Sequence, residues 1–352
     1  MSIKLAINGF GRIGRLAFRR AYDVGGFEVV AINDLVDADT LAYLLKYDTT
    51  HRGWHQDEIG SEVVKDEAGN ITVNNLIWKG KKIPVLGQKD PKNLKWGDFK
   101  VDLVLECTGR FKGVADAKVH IDNGAKGVII SAPSDKETPT FVYGVNTDKL
   151  TADMKVISGA SCTTNCLAPV MKVLEEKYGV KGGFMTTVHA YTNDQTTLDL
   201  AKGNLRRGRA AAANIVPTTT GAAKAINLVI PSLKGRLQGG AIRVPVIDGS
   251  LVDLSLVLKK PATDAAEVNA AMKAASVGDL KNVLGYTEDE IVSSDILGRS
   301  EGSIFDATQT MIYSDPEGQQ YVKVVSWYDN EYSFTCQYIR LAAAYGKVLG
   351  CK

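Results

Sequence analysis

The feature that most constrains the fold is a glycine motif near the N-terminus. Residues 3–8, IKLAIN, are apolar apart from one lysine, which predicts a parallel strand buried on both faces. Gly9, Gly11 and Gly14 follow directly, and an amphipathic run begins at Ile13. Strand, glycine turn and helix in that order form the phosphate cradle of dinucleotide-binding folds. The glycines alone are equally compatible with a plain tight turn.

The second predicted strand supplies the context that the glycines lack. It runs through FEVVAIND and ends on Asp34, twenty residues after Gly14. An acidic side chain at that spacing hydrogen-bonds the adenosine ribose hydroxyls. The same carboxylate repels a 2′-phosphate, so the motif favours NAD over NADP as the cofactor.

Two later runs continue the same pattern. VDLVLECTG at 101–109 and GVIISAPS at 127–134 predict further strands, whose ends carry Thr108 and Ser131. Ligands of open α/β sheets lie outside the carboxyl ends of the strands, so both residues are candidate cofactor contacts as well as candidate turn residues. Residues 60–86 predict antiparallel hairpins inserted in this domain, with no assigned chemistry.

Length and composition limit the class of protein. A chain of 352 residues can form two domains, each with its own core. A formal net charge of +2 gives no general attraction to nucleic acid or anionic membrane, and no apolar run is long enough to span a bilayer. Five scattered cysteines and four unclustered histidines favour neither a disulfide framework nor a metal site. We therefore expect a cytoplasmic protein without a metal.

The stretch SGASCTTNCLAP at 158–169 places a cysteine at the start of a predicted helix. Apolar residues after Cys162 follow helical spacing up to Gly179, so the helix is expected to begin near Thr163 and to end at that glycine. At a helix N-terminus the dipole and free amides favour the thiolate, which would make Cys162 a nucleophile. Cys166, one turn on, is interpreted as a core residue.

A nucleophilic cysteine commonly has a histidine partner that is near in space rather than in sequence. His189 ends a β-type run, GGFMTTVHAYTND, which suits a side chain presented at the end of a strand. Spacing alone favours it over the histidines at 51, 55 and 120 without excluding them.

Two downstream segments suggest anion binding. Thr220 and Gly221 precede an apolar helical pattern, so hydroxyls and amides at a helix start could hold an anion. Arg243 could give bidentate hydrogen bonds to a phosphate. The arginines at 206, 207 and 209 could form a solvated face, and they are too few to predict a nucleic-acid surface.

Over nearly its whole length the sequence resembles the phosphorylating glyceraldehyde-3-phosphate dehydrogenases. The resemblance rests on INGFGRIGR at 7–15, SCTTNCLAP at 161–169, PTTTGAAKA at 217–225 and SWYDNE at 326–331. It implies an α/β Rossmann NAD-binding domain at residues 1–161 and an α+β catalytic domain with a mixed or antiparallel sheet at residues 162–330. A C-terminal helix, 331–352, is expected to pack back on the first domain.

The resemblance also implies roles for individual residues. Cys162 corresponds to the nucleophile and His189 to the base. The cofactor-binding positions are Gly9, Gly11, Arg12, Ile13, Asp34, Thr108, Ser131 and Asn330. The inorganic phosphate site corresponds to Ser161, Thr163, Thr220 and Gly221, and the substrate phosphate site to Thr192, Asp194, Arg207 and Arg243.

The implied reaction is the glycolytic oxidation of D-glyceraldehyde 3-phosphate. NAD takes the hydride, a thiohemiacetal and then a thioester form on the cysteine, and inorganic phosphate releases 1,3-bisphosphoglycerate. The family is tetrameric, so we expect a homotetramer, with a loop around residues 190–215 reaching toward a neighbour's cofactor. No dedicated nucleic-acid site and no membrane partner are expected.

Three positions depart from the family pattern, and three alternatives stay open. Ser333 and Phe334 replace the usual glycine and tyrosine, and Lys89 stands where arginine is common. The alternatives are an erythrose-4-phosphate dehydrogenase, an NADP-preferring form, and a non-catalytic NAD-binding redox sensor. Asp34 argues against the second. His189, together with two phosphate sites, argues against the third, because a sensor needs neither.

Overall fold

The computed structural model describes residues 2–351, which form two compact units. Of these residues, the first unit contains 2–140, 149–159 and 338–351, and the second contains 141–148 and 160–337. The domain boundary expected after residue 161 stays a prediction.

The first unit has an α/β architecture. Its elements in chain order are β1 (Ile3–Asn8), α1 (Arg12–Val24), β2 (Phe27–Asn33), α2 (Ala38–Lys46), β3 (Ile59–Lys65), β4 (Ile71–Trp78), β5 (Lys81–Pro84), β6 (Leu103–Glu106), α3 (Val114–Ala117), α4 (Val119–Asp122), β7 (Gly127–Ile130) and β8 (Val156–Ser158). Five of the strands form a parallel sheet in the order β2-β1-β6-β7-β8. Strands β3, β4 and β5 form a separate antiparallel sheet, which confirms the predicted hairpins.

The parallel sheet brings polar strand ends together. Asn8 at the end of β1 is in register with Asn33 of β2 on one side and with Glu106 of β6 on the other. The rest of β6 and all of β7 are buried and apolar, as expected for strands covered on both faces. The carboxyl edge of this sheet is therefore where polar chemistry is concentrated.

The glycine turn between β1 and α1 is required by close packing. Gly9 has φ of +90°, a left-handed conformation that favours glycine. A Cβ on Gly14 would lie 2.1 Å from the carbonyl oxygen of Gly9. The helix can therefore approach the strand end only because both positions lack a side chain.

The second unit contains a mixed sheet. Its elements are α5 (Cys162–Lys177), β9 (Val180–Ala190), β10 (Val216–Thr218), α6 (Ala222–Val229), β11 (Leu237–Val244), β12 (Ser250–Leu258), α7 (Ala265–Val277), β13 (Leu284–Thr287), β14 (Ser303–Ser314), β15 (Gln320–Tyr328) and the start of α8 (Tyr332–Val348). Seven strands form the sheet in the order β10-β11-β9-β12-β15-β14-β13, with parallel and antiparallel pairs. The predicted fold class, a Rossmann-type α/β unit with an α+β unit, is confirmed.

Most residues of helix α5 are buried in the core of the second unit. It begins at Cys162 and ends at Lys177, and Gly179 follows with φ of +69°, within a residue or two of the predicted bounds. Pro169 lies inside the helix without ending it. The apolar side chains after Cys162 lie in one core with strands of the sheet. This packing fixes the end of the helix that carries the cysteine.

The C-terminal residues of the chain belong to the first unit. The Tyr338 hydroxyl donates to the carbonyl of Ile129 in β7, and the Tyr345 hydroxyl donates to the carbonyl of Met154. Among residues 2–351, no helix has the length and apolar character needed to cross a bilayer.

Candidate active site

A cavity of about 270 Å³ opens at the carboxyl edge of the parallel sheet in the first unit. Its lining includes four of the predicted cofactor residues: Gly9, Gly11, Asp34 and Thr108. The location, beside a glycine turn and a helix N-terminus, is the one that open α/β sheets use for nucleotides. The structure thus brings these four residues to one site.

The details of this cavity fit a dinucleotide. A Cβ on Gly11 would meet no atom within 4 Å, so the backbone there is open to a ligand. One oxygen of Asp34 accepts a hydrogen bond of 2.7 Å from the Phe10 amide and the other a 3.3 Å bond from the Val36 amide. The carboxylate is therefore held at the rim of the cavity, as recognition of ribose hydroxyls requires.

The three other predicted cofactor residues of the first unit lie outside the cavity lining. The Arg12 guanidinium forms an ion pair with Asp48, and Ile13 is half-buried in the first turn of α1. Ser131 follows β7, where its amide donates to the carbonyl of Glu106. Their roles toward a cofactor stay predictions.

The second unit places the predicted nucleophile beside the predicted base. Cys162 is the first residue of α5, and its Sγ lies 3.6 Å from His189 Nε2. His189 is close to the end of β9 and is buried. Ser161 caps the helix, because its Oγ accepts a 3.1 Å hydrogen bond from the Thr164 amide. The capped helix end and the strand end thus fix both partners.

The other ring nitrogen of His189 determines how the pair works. Nδ1 lies 2.7 Å from the carbonyl oxygen of Ala190, which can only accept. Arg243 Nη1 also lies 3.0 Å from Nδ1, but its two hydrogens already bond the Ala190 carbonyl and Thr192 Oγ1. Nδ1 therefore carries the proton, and Nε2 presents a lone pair to the Cys162 thiol. Arg243 Nη1 donates to the same carbonyl at 2.8 Å. A neutral imidazole so oriented is ready to act as a base.

Burial and the charge of Arg243 both act on the protonation of the pair. Burial raises the pKa of the Cys162 thiol above its usual value, although the positive charge of Arg243 opposes this shift. Burial and the charge of Arg243 lower the pKa of His189 to about 3. Desolvation thus acts against the thiolate that the helix end favours, and the expectation of a thiolate at Cys162 stays a prediction.

A continuous chain of polar contacts extends from this pair. Arg243 Nη1 donates to Thr192 Oγ1 at 3.1 Å, and Thr192 donates to Asp194. The second oxygen of Asp194 pairs with the Arg207 guanidinium, whose Nε donates to Thr218 Oγ1 at 3.0 Å. The structure thus brings together all four residues predicted for the substrate phosphate, with two guanidinium groups that suit an anion.

Comparison with known proteins identifies the family. Residues 3–114 match the model of the glyceraldehyde 3-phosphate dehydrogenase NAD binding domain, and residues 161–330 match the C-terminal domain of the same family. The glyceraldehyde-3-phosphate dehydrogenase of Clostridium pasteurianum is 54% identical over 347 residues, which cover 98% of this chain and 99% of the relative. The chain belongs to the glyceraldehyde-3-phosphate dehydrogenase family.

Two further relatives carry the same family name. Glyceraldehyde-3-phosphate dehydrogenase 1 of Bacillus subtilis is 52% identical over 348 residues, covering 99% of each chain. The glyceraldehyde-3-phosphate dehydrogenase of Geobacillus stearothermophilus is 52% identical over 344 residues, covering 97% of this chain and 98% of the relative. The matched NAD binding domain contains the cavity residues described above, so NAD is the cofactor of this family member.

The residues predicted for inorganic phosphate lie at the starts of two helices of the second unit. Ser161 and Thr163 are at the start of α5, and Thr220 and Gly221 precede α6, which packs on α5. Three of the four residues already have side-chain hydrogen-bond partners within the protein. Ser161 caps α5, Thr163 Oγ1 lies 2.9 Å from the Tyr328 hydroxyl, and Thr220 Oγ1 accepts from the Ala222 amide. Their role in binding phosphate stays a prediction.

Asn330 is held from two sides within the second unit. Its backbone N–H donates to Asp248 Oδ1 at 3.1 Å, and its side-chain Oδ1 accepts a 2.7 Å hydrogen bond from Ser250 Oγ. Ser250 Oγ in turn accepts from the amide of Ala190, next to the base. The departure at position 333 is accommodated locally, because the Ser333 hydroxyl donates to the Asp329 carbonyl. Phe334 is buried.

The structure adds residues that the sequence did not single out. Tyr328 contacts His189 edge-on, with ring centroids 5.7 Å apart, and Ser250 links Ala190 to Asn330. Gln88 lines the NAD cavity, beside Lys89, which the sequence had marked only as a departure from the family pattern. SWYDNE contains Tyr328, so that motif could have drawn attention to it. Ser250 and Gln88 carry no local signal, since only tertiary contacts give them a role.

Proposed function

We propose that this chain catalyses the oxidative phosphorylation of D-glyceraldehyde 3-phosphate to 1,3-bisphosphoglycerate with NAD. One observation carries the proposal: Cys162 Sγ lies 3.6 Å from an acceptor nitrogen of His189, beside a chain of anion-binding side chains. Family membership supports the oxidation of glyceraldehyde 3-phosphate. The phosphorylating form of the reaction is the more specific claim.

The first chemical step is addition of the thiol to the aldehyde. His189 Nε2 takes the proton from Cys162 Sγ, and the sulfur attacks the carbonyl carbon. The former carbonyl oxygen then takes that proton back from the imidazolium, which gives a thiohemiacetal. Positioned proton transfer of this kind contributes about 10²- to 10⁴-fold in rate. The raised thiol pKa suits this order, since deprotonation is coupled to the arrival of an acceptor.

Oxidation of the thiohemiacetal again depends on His189. Nε2 removes the hydroxyl proton while the carbon–hydrogen bond pair departs as hydride, and a thioester remains on Cys162. NAD supplies the hydride acceptor when bound. The hydrogen bond from Nδ1 to the Ala190 carbonyl, 2.7 Å long, stabilises the imidazolium that forms. The charge of Arg243 lowers the pKa of His189, which makes the imidazolium a ready proton donor for the later steps.

Phosphorolysis completes the cycle. A phosphate oxygen attacks the thioester carbon, the carbon–sulfur bond breaks, and the imidazolium returns its proton to the leaving Cys162 sulfur. Sulfur is the appropriate atom here, because a thioester is more activated than an oxygen ester. Hydroxyls at the starts of α5 and α6, from Ser161 and Thr220, support a phosphate near the acyl group.

Substrate recognition is assigned to the polar chain that ends in Arg207. In the free protein, Arg207 and Arg243 are held by Asp194 and Thr192, so the guanidinium groups are ordered before an anion arrives. Preorganised donors lose less entropy when they bind. This arrangement supports a phosphorylated aldehyde as the substrate.

The decisive experiment measures NADH formation with and without inorganic phosphate. With glyceraldehyde 3-phosphate and NAD present, we expect steady turnover only when phosphate is added, and at most one equivalent of NADH per site without it. Erythrose 4-phosphate serves as the competing substrate, and a lower kcat/KM for it is expected. Turnover independent of phosphate, or a preference for erythrose 4-phosphate, would reject the assignment.

We also propose that the chain functions as a homotetramer. The segment between β9 and β10 exposes Leu198, Leu200 and Leu205 at 76%, 65% and 83% of their surface. Such a group of exposed leucines is typical of a surface that a partner covers. Light scattering should give a mass about four times the 37.9 kDa of one chain, and a monomer would contradict this part of the proposal.

A further inference from the structure

A buried carboxylate lies at the carboxyl edge of the parallel sheet, outside the lining of the NAD cavity. Glu106 ends β6, and its side chain is 1% exposed. A buried charge is costly unless it is fully hydrogen-bonded. Neither the catalytic chemistry nor the predicted cofactor contacts use this residue, so the buried carboxylate has no role in the proposed reaction.

Each carboxylate oxygen of Glu106 accepts from two donors. Oε1 accepts from the Thr108 amide at 2.9 Å and from the Thr108 hydroxyl. Oε2 accepts from Asn8 Nδ2 at 2.6 Å and lies 3.1 Å from His120 Nε2. Two of these partners, Asn8 and Thr108, line the NAD cavity. The carboxylate thus fixes the positions of two residues that line the cavity, without lining it itself.

The tautomer of His120 follows from its other neighbour. Trp96 Nε1, which can only donate, lies 3.0 Å from His120 Nδ1. Nδ1 must therefore accept, so the proton is on Nε2 and points to Glu106 Oε2. His120 and Trp96 are both 0% exposed. This pair lies behind the carboxylate, and neither residue lines the cavity.

The same network reaches two further cavity residues. Asn33 Nδ2 donates to Asn8 Oδ1 at 2.8 Å, and Asn33 Oδ1 accepts from the backbone N–H of Gln88 at 2.8 Å. Asn33 and Gln88 both line the cavity. A single carboxylate is therefore connected to the ends of β1 and β2 and to the segments after β5 and β6.

We propose that Glu106 is a positioning residue of the NAD site, with His120 as its support. Four donors converge on its two oxygens, and only a carboxylate can accept from all four. A glutamine would turn its own amide N–H toward some of these donors, so Asn8 or Thr108 would have to move. The proposal rests on the assignment of the cavity to NAD.

The test compares NAD binding in Glu106→Gln with that in a matched control, Asp102→Asn. Asp102 is a second buried carboxylate, 5% exposed, next to the opposite end of β6, where it accepts from the Lys4 amide at 2.9 Å and pairs with Lys126 at 2.7 Å. Both variants should lose thermal stability. Only Glu106→Gln should raise the calorimetric Kd for NAD, by about tenfold for the loss of charge-assisted hydrogen bonds.

A second pair of variants keeps the test valid if Glu106→Gln does not fold. His120→Ala removes the donor to Glu106, whereas in His120→Gln the side-chain amide can still donate to Glu106 and accept from Trp96. We expect His120→Ala to weaken NAD binding and His120→Gln to restore most of it. A merely structural role would lower the melting temperature without this recovery of affinity.

The outcomes separate this inference from the NAD assignment. If the unmodified protein binds NAD and the variants at 106 and 120 bind it as tightly as the Asp102→Asn control does, the positioning role is wrong. If the unmodified protein does not bind NAD, the cofactor assignment itself fails. Binding is measured without substrate, so neither outcome depends on turnover.

Discussion

Cys162 and Cys166 lie one helical turn apart on α5, but their surroundings differ. Cys162 as a residue is partly exposed and its Sγ faces His189, whereas Cys166 is fully buried, with its Sγ 3.5 Å from the carbonyl oxygen of Ser326. Burial raises the pKa of Cys166 to about 12. The sequence prediction that Cys166 is a core residue is confirmed, and its thiolate is inaccessible near neutral pH.

Serine substitution should therefore separate the two positions. Cys162→Ser should abolish steady-state NADH formation while the Kd for NAD is unchanged, because a hydroxyl is a far weaker nucleophile than a thiol. Cys166→Ser should lower the melting temperature and leave kcat close to that of the unmodified enzyme. Loss of turnover in a well-folded Cys166→Ser protein would reverse the assignment of the two cysteines.

Two arginines two residues apart offer a similar contrast for the substrate phosphate. Arg207 contacts Asp194 and Thr218, whereas Arg209 is an exposed residue paired with Asp199. Arg207→Met should raise the KM for glyceraldehyde 3-phosphate about tenfold or more, the value of a charge-assisted phosphate contact. Arg209→Met should have little effect, since exposed pairs contribute little. Equal KM values for the two variants would remove Arg207 from the phosphate site.

At the level of elements, Tyr328 at the end of β15 connects the helix of the nucleophile to the strand of the base. Its hydroxyl lies 2.9 Å from Thr163 Oγ1 and 2.8 Å from Thr187 Oγ1. Thr187 donates its own proton to the Leu251 carbonyl, so it must accept from Tyr328. The direction of the chain is thus Thr163 to Tyr328 to Thr187, and it joins α5, β15, β9 and β12.

Removing the Tyr328 hydroxyl oxygen should make the relative positions of Cys162 and His189 less well fixed. Tyr328→Phe keeps the ring against His189 but leaves the buried Thr163 hydroxyl without its acceptor, at a cost of about 1–3 kcal/mol. We expect a lower kcat with an unchanged Kd for NAD, measured by steady-state kinetics and calorimetry. Val324→Ala, a cavity-forming change elsewhere in β15, is the control for lost stability. Identical kcat losses in the two variants would contradict a specific role for the hydroxyl.

Local sequence pattern predicted the helices and strands much better than it predicted which strands pair with one another. Helix α5, the glycine turn and the hairpins of β3–β5 follow from spacing, turn residues and apolar runs, because these signals lie within a few residues of one another. The register of β9 with β11, which sets Arg243 beside His189, pairs positions far apart in the chain. No local signal encodes that register, and the resemblance to a known family supplied the site residues that it joins.

For the whole molecule, the fold class followed from the order of strands and helices, whereas the electrostatics did not. The direction of the Cys162 pKa shift depends on how deeply the site is buried, which a helix position does not reveal. The Glu106 network was equally invisible, because its members come from separate strands. The expected cytoplasmic location stays a prediction.

The pH dependence of global stability provides a test of buried charge in the second unit. Burial, reinforced by the charge of Asp329, raises the pKa of Asp248 to about 9. The folded protein therefore binds a proton there that the unfolded chain releases near pH 4, so this contribution to stability falls as pH rises from about 4 to 9. Asp248→Asn removes the titration. Its melting temperature, relative to that of the unmodified protein, should rise between pH 5 and pH 9, and a constant difference would contradict the shift.

The central claim, that Cys162 forms the thioester, can be tested by mass spectrometry. The enzyme is mixed with glyceraldehyde 3-phosphate and NAD in the absence of phosphate, quenched in acid and digested. We predict a phosphoglyceroyl group on the peptide that contains Cys162, and its loss when phosphate is added before the quench. An acyl group on any other residue, or one that persists after phosphate is added, would contradict the mechanism.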